Sequence, residues 1–144
     1  MSRSIHVLNG PNLNRLGRRE PAIYGHTTLA EVEAMCRDAA GETGIVFHQT
    51  NYEGQLVDWI HEAIDLPAAG IIINPAGLTF TSIPVLDALK MFPGPLIELH
   101  ISNIHKREAI YHRSLVSTAA TAVIAGLGAK GYATAVRAML ELLD

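Results

Sequence analysis

The chain has a single cysteine, Cys36, in 144 residues. An internal disulfide and any cluster of cysteine-bound metal are thereby excluded, and a reducing compartment, the cytoplasm, is expected. Charge is scarce as well. Asp, Glu, Lys and Arg make up 17% of the chain, with 11 basic against 14 acidic residues and a formal charge of -3. No polybasic arm exists to gather phosphates, so no nucleic-acid partner is expected. Long apolar runs are also missing. Met1-Ser2-Arg3-Ser4 leads straight into a short apolar stretch ending at Asn9, too brief for a signal sequence or a membrane span, and neither export nor membrane association is expected. Linkers, repeats and low-complexity tracts are absent too. What is abundant is apolar material, 49% of the residues, enough for a full core in one domain over residues 1–144.

That apolar material is distributed in runs of strand length: Ile5 to Leu8, Ile45 to Phe47, Ile71 to Ile73, Leu96 to Leu99 and Thr121 to Ala125. Helical spacing fills the intervals. Thr28 with Glu31 three residues on forms a capping box for a helix in which Leu29, Val32, Ala39 and Ala40 mark the buried side, Cys36 lies within, and Gly44 marks the close. Leu56, Trp59, Ile60, Ala63 and Ile64 share one face of a second helix that stops before Pro67. Ile83 to Met91 and Tyr132 to Leu143 read as further helices, and Asn103 to Arg113 as a short polar helix or turn. Continuous apolar strands with long crossovers imply a parallel sheet covered on both faces. The pattern fits an α/β, flavodoxin-like, three-layer doubly wound sheet of five parallel strands.

In such sheets ligands bind beyond the carboxyl ends of the strands. The residues there are polar: Asn9-Gly10-Pro11-Asn12, Asn74-Pro75-Ala76-Gly77 and His100-Ile101-Ser102-Asn103. Asn9 either completes the turn through local backbone or serves the site. Asn12 is better placed for chemistry, its amide able to hold an oxyanion or a water. Arg18, Arg19 and Tyr24 follow in a loop containing Gly and Pro, where Tyr24 either caps the core or acts as a base. A free phenol with a pKa near ~10 is only about 0.1% ionised at neutral pH, and a guanidinium beside it favours the phenolate. A phenolate can remove a proton next to a carbonyl.

Glu98 and His100 fall on the same side of a strand, since alternate residues share a face, and a carboxylate there orients an imidazole for general acid work. Ile101 and Ser102 offer backbone N–H groups where the chain turns, a cradle for a substrate carboxylate to which Arg107 adds charge. The other histidines, His6, His26, His48, His61, His105 and His112, show no metalloenzyme pairing on a helix face, so no metal is expected. Gly126-x-Gly128-x-x-Gly131 matches a dinucleotide fingerprint, but no strand follows to supply a ribose-binding acid. Its glycines are expected to serve a tight turn into the last helix. Paired acidic residues are lacking after the first strand, which argues against a phospho-acceptor receiver domain.

Leu8-Asn9-Gly10-Pro11-Asn12-Leu13-Asn14, Gly17-x-x-Glu20-Pro21-x-x-Tyr24-Gly25, Gln49-Thr50-Asn51-x-Glu53-Gly54, Asn74-Pro75 and Glu98-Leu99-His100-Ile101-Ser102-Asn103-Ile104-His105 together resemble the type II 3-dehydroquinate dehydratase family. Arg107-Glu108 and the segment from Gly126 to Tyr132 continue the likeness, which spans nearly the whole chain in order. The resemblance implies a flavodoxin-like subunit in a dodecamer built from trimers, dehydrating 3-dehydroquinate to 3-dehydroshikimate by anti elimination, without metal or cofactor. By matching position, Tyr24 is the implied base, Arg19 and Arg107 favour its phenolate, and Asn12 stabilises an enolate through a water. His100, oriented by Glu98, is the implied acid, Ile101, Ser102 and Asn74 bind the substrate carboxylate, and Asp87 reaches a neighbouring subunit's site. The segment from Leu16 to Tyr24 resembles the family's mobile lid.

The chain departs from the family pattern at three positions. Phe80, in Thr79-Phe80-Thr81-Ser82, stands where the family has a histidine for substrate hydroxyls, Leu78 replaces a usual tyrosine, and Tyr111 replaces a substrate-binding arginine, with Arg113 nearby. An unpaired buried hydroxyl costs about 1 to 3 kcal/mol, so weakened binding of the usual substrate is one expectation. A relative that uses the same chemistry on a different ring acid, or a non-catalytic binding paralogue, are the alternatives. The retained acid and base favour the dehydratase.

Overall fold

The computed structural model describes residues 3–144; Met1 and Ser2, the start of the lead-in to the first apolar run, lie outside the described residues. Five strands form one parallel sheet: β1 (Ser4–Asn9), β2 (Gly44–Gln49), β3 (Gly70–Asn74), β4 (Leu96–His100) and β5 (Ala122–Ala125), in the order β2-β1-β3-β4-β5. The helices are the short α1 (Pro21–Tyr24), then α2 (Leu29–Ala40), α3 (Glu53–Asp65), α4 (Ile83–Lys90) and α5 (Gly131–Leu143). Among the described residues no helix is long and apolar enough to cross a membrane.

Strand alternation divides the core into two layers. Ile5, Val7, Ile72, Ile97 and Leu99 pack with Val32, Cys36 and Ala40 of α2 and with Tyr132, Ala135, Val136 and Met139 of α5. Leu8, Ile71, Ile73 and Leu96 pack with Leu56, Ile60 and Ala63 of α3 and with Val85, Ala88 and Leu89 of α4. Each fully buried Ile or Leu contributes roughly 1.5 to 3 kcal/mol of transfer free energy, so the sheet is held from both faces. Burial pushes the Cys36 thiol up to about 12, which leaves it a small hydrophobe at neutral pH.

The expected strands and helices are all present, with differences at their ends. The capping box of α2 forms, Thr28 accepting from the Glu31 amide and Glu31 accepting from that of Thr28. The helix nevertheless ends at Ala40 rather than near Gly44, because Gly41 takes a positive φ of 60°. Its buried line is Val32, Cys36 and Ala40, four residues apart, with Leu29 and Ala39 only partly buried at the rim. Trp59 is likewise partly buried and stacks on His48 of β2, with ring centroids 4.3 Å apart. The polar segment from Asn103 to Arg113 resolves into two separate 3-10 turns, Ile104–Lys106 and Ala109–Tyr111. As expected, the glycine triplet near the C-terminus makes a turn, with φ of 90° at Gly126 and 69° at Gly128 leading into α5.

His6 lies fully buried on β1, and neither ring nitrogen has a hydrogen-bond partner among the described residues. Burial holds its pKa below the usual value of 6.5; Glu62 opposes that shift and His48 adds to it. Because the unfolded chain therefore takes up this proton first, the His6 contribution to stability is present at neutral pH and is lost as pH falls below about 6.5. Thermal unfolding between pH 7 and pH 5 should show the unaltered protein losing more of its Tm than His6→Leu does. Equal losses in the two proteins would rule out His6 as a source of acid sensitivity.

Candidate active site

The strand order reverses at β1, whose two neighbours are β2 and β3, and a crevice opens beyond their carboxyl ends. The turns after β1 and β3 meet there. The Gly10 amide donates to the Asn74 carbonyl at 2.8 Å, and a Cβ at Gly10 would stand 2.5 Å from the Pro75 carbonyl oxygen, so only glycine permits the approach. Gln49 Nε2 donates to the Gly10 carbonyl and to Asn51 Oδ1, and that same oxygen accepts from the Asn12 amide at 2.9 Å. Asn12 is thereby held with φ of 73° at the mouth of the crevice.

A buried tie runs beneath these turns. Tyr132 Oη donates to Asn9 Oδ1 at 2.7 Å and accepts from Asn74 Nδ2 at 2.9 Å, while Asn9 Nδ2 donates to the His48 carbonyl. Asn9 thus bridges strands rather than completing its own turn. Burial raises the Tyr132 phenol well above its ordinary range, so it stays protonated and able to donate. Removing the hydroxyl by Tyr132→Phe leaves two buried amides short of a partner, at about 1 to 3 kcal/mol. The denaturation midpoint is expected to fall accordingly, and an unchanged midpoint would show that the tie is not structural.

The crevice holds a cavity of about 240 Å³, lined by Asn12, Arg19, Tyr24, Asn74, Phe80, His100, Ile101, Ser102, Arg107 and Tyr111 together with Pro11, Leu13, Ala76, Gly77 and Ile104. Tyr24 ends α1 and is buried, its ring under the Arg19 guanidinium, whose Cζ stands 4.3 Å from the ring centroid. Arg107 Cζ lies 5.7 Å from the same centroid. Two guanidiniums therefore lie against the Tyr24 ring. Across the cavity, His100 Nε2 meets Glu98 Oε2 at 2.5 Å, and Ser117 Oγ donates to Glu98 Oε1 at 2.5 Å. Glu98 is fully buried. Burial alone would push its carboxyl up, but the bonds from His100 and Ser117 and the attraction of an imidazolium prevail and hold it below the usual carboxylate range.

Ten of the twelve site residues expected from the sequence line this cavity. Glu98 sits behind His100 rather than on the surface of the cavity, as an orienting carboxylate should. Asp87 is exposed on α4 and does not line the cavity of its own subunit, and exposed Arg113 does not take the place vacated at Tyr111. Alternation along β4 was the signal for Glu98 and His100. Gln49 and Tyr132 fall in segments that carry the family resemblance, but no local pattern marks them or Ser117 as supports of Gly10, Asn9, Asn74 and Glu98, which are remote in the chain. Glu53 is a further one, accepting from Ser82 Oγ, which also caps α4 through the Val85 amide. Among the described residues no group of three or more His, Cys, Asp or Glu side chains gathers in a metal-binding arrangement.

Comparison with known proteins agrees with this architecture. Residues 3–140 match the family described as Dehydroquinase class II. A protein of Cereibacter sphaeroides named 3-dehydroquinate dehydratase is 54% identical over 144 residues, covering 99% of this chain and 97% of its own. A protein of Agrobacterium fabrum named 3-dehydroquinate dehydratase 2 is 56% identical over 140 residues, covering 96% and 95% respectively. The crystal structure of the type II dehydroquinase from Propionibacterium acnes superimposes with a TM-score of 0.93 at 45% identity, covering 98% of each chain. With the fold, the crevice and these matches in agreement, the chain belongs to the class II dehydroquinase family.

Proposed function

We infer that this chain is a type II 3-dehydroquinate dehydratase, a lyase that removes water from 3-dehydroquinate to give 3-dehydroshikimate. The observation that carries the reading is a tyrosine under an arginine and a carboxylate-backed histidine lining one cavity, in a chain that matches the family over residues 3–140. In the mechanism this supports, the Tyr24 phenolate takes a proton from the carbon beside the ketone. The electron pair left behind moves onto the ketone oxygen as an enolate, near Asn12, which holds it through a water. Collapse of the enolate expels the hydroxyl on the next carbon, and His100 protonates it so that it leaves as water. The Arg19 and Arg107 charges stabilise the base, and Glu98 stabilises the imidazolium that donates.

The substrate carboxylate is assigned to the turn after β4. Among the described residues no acceptor takes the backbone N–H of Ile101 or Ser102, which leaves both for an anion beside the Asn74 amide. We assign the segment from Leu16 to Tyr24 as the lid that brings Arg19 over the base. The assembly is assigned as a dodecamer built from trimers with Asp87 reaching a neighbour's site, a reading supported by the exposure of Asp87 between the exposed Ile83 and Met91. The buried thiol of Cys36 suits a reducing compartment, and the cytoplasm is the assigned location.

The direct test follows the rise in ultraviolet absorbance as a conjugated enone forms from 3-dehydroquinate. Steady turnover by the unaltered protein is expected. Absence of turnover together with tight binding of a ring acid would replace this reading with that of a non-catalytic binder.

A further inference from the structure

We propose that Tyr111 is a positioning residue whose ring face holds the Arg107 guanidinium beside the Tyr24 ring, with Phe80 bracing Tyr111 in turn. The proposal rests on the assignment of Tyr24 as base. Arg107 Cζ lies 3.9 Å from the Tyr111 ring centroid, closer than its 5.7 Å to Tyr24. Among the described residues Arg107 makes no ion pair, so the ring is the principal group fixing its charge. An aromatic face attracts a guanidinium without carrying a charge of its own, whereas a second arginine at this place would repel the first.

The ring that does this is itself fixed. Tyr111 stands at 67° to Phe80 with centroids 5.5 Å apart, an edge-to-face contact. Phe80 in turn lies at 20° to the His100 ring with centroids 6.4 Å apart. The segments bearing the two aromatics are tied together: Thr79 Oγ1 and Ser114 Oγ share a hydrogen bond of 2.6 Å, and the Leu115 amide donates to the Thr79 carbonyl at 2.8 Å. His112 Nε2 donates to the Arg107 carbonyl at 2.5 Å and steadies the backbone that carries the guanidinium. Phe80 and Tyr111, two positions at which this chain departs from the family pattern, therefore form one device. An aromatic pair stands where the family pattern has a histidine and an arginine, and it orders the remaining arginine.

Kinetics with 3-dehydroquinate and crystal structures of the variants test this. Tyr111→Leu is expected to lower kcat about tenfold, equivalent to about 1.4 kcal/mol, while KM moves by less than about threefold. Tyr111→Phe, which keeps the ring face, should recover most of that loss. In an Arg107→Ala background, Tyr111→Leu should cost nothing further, because the effect runs through the guanidinium. In the crystal, Arg107 should swing away from Tyr24 in Tyr111→Leu and stay in Tyr111→Phe. A loss confined to KM, an equal loss with and without Arg107, or an unmoved Arg107 would overturn the proposal. If the unaltered protein fails to turn over 3-dehydroquinate, the functional reading falls, and the crystal comparison still decides whether Tyr111 positions Arg107.

Discussion

Tyr24→Phe is expected to lower kcat by about a thousandfold, leaving KM within a few-fold and the thermal midpoint nearly unchanged. General base catalysis contributes roughly 10² to 10⁴, and a phenyl ring has no proton acceptor to replace the phenolate oxygen. The ring itself packs in the core beside Leu13 and Leu16, and phenylalanine keeps that contact, so the loss should be chemical rather than structural. Product absorbance measured at saturating substrate provides the check. A Tyr24→Phe enzyme with an undiminished kcat would remove Tyr24 as the base, whatever its place under Arg19.

The second large effect concerns the acid. His100→Leu should lower kcat by about 10² to 10⁴ and also destabilise the fold, because Glu98 is then left as a buried charge with only serine hydroxyls as partners. Breaking such a pair costs about 3 to 5 kcal/mol, or roughly 10 to 17 °C in Tm for a chain of this size. The double variant Glu98→Leu with His100→Leu should regain most of the stability, because the unpaired charge is gone, yet none of the turnover. Thermal unfolding and product absorbance on the three proteins separate the two effects. Recovery of activity in the double variant would show that His100 does not donate the proton.

The parts of this molecule that were readable from the sequence share a physical cause. A strand buried on both faces writes itself as a continuous apolar run, and all five were found that way, within a few residues at their ends. The pair Glu98 and His100 was visible because two-residue alternation is a local rule. The end of α2 is less legible, because Gly41 breaks the helix before the next glycine, a choice between two permissive positions that local pattern does not rank. By spacing alone Tyr132 reads as the start of the last helix; its hydroxyl matters because Asn9 and Asn74, far away in the chain, converge on it. In the sequence Phe80 and Tyr111 read as two separate losses of polar contact. Their meaning changes once the turns after β3 and β4 are seen clasped, an adjacency that no spacing rule along the chain encodes.

The contact of Gly10 with Pro75 bears on how far this pocket can be redesigned. Even an alanine side chain at Gly10 would push apart the two loop bases from which the pocket is built, and every lining group mounted on them would shift with them. Libraries aimed at new ring acids should therefore leave Gly10 untouched.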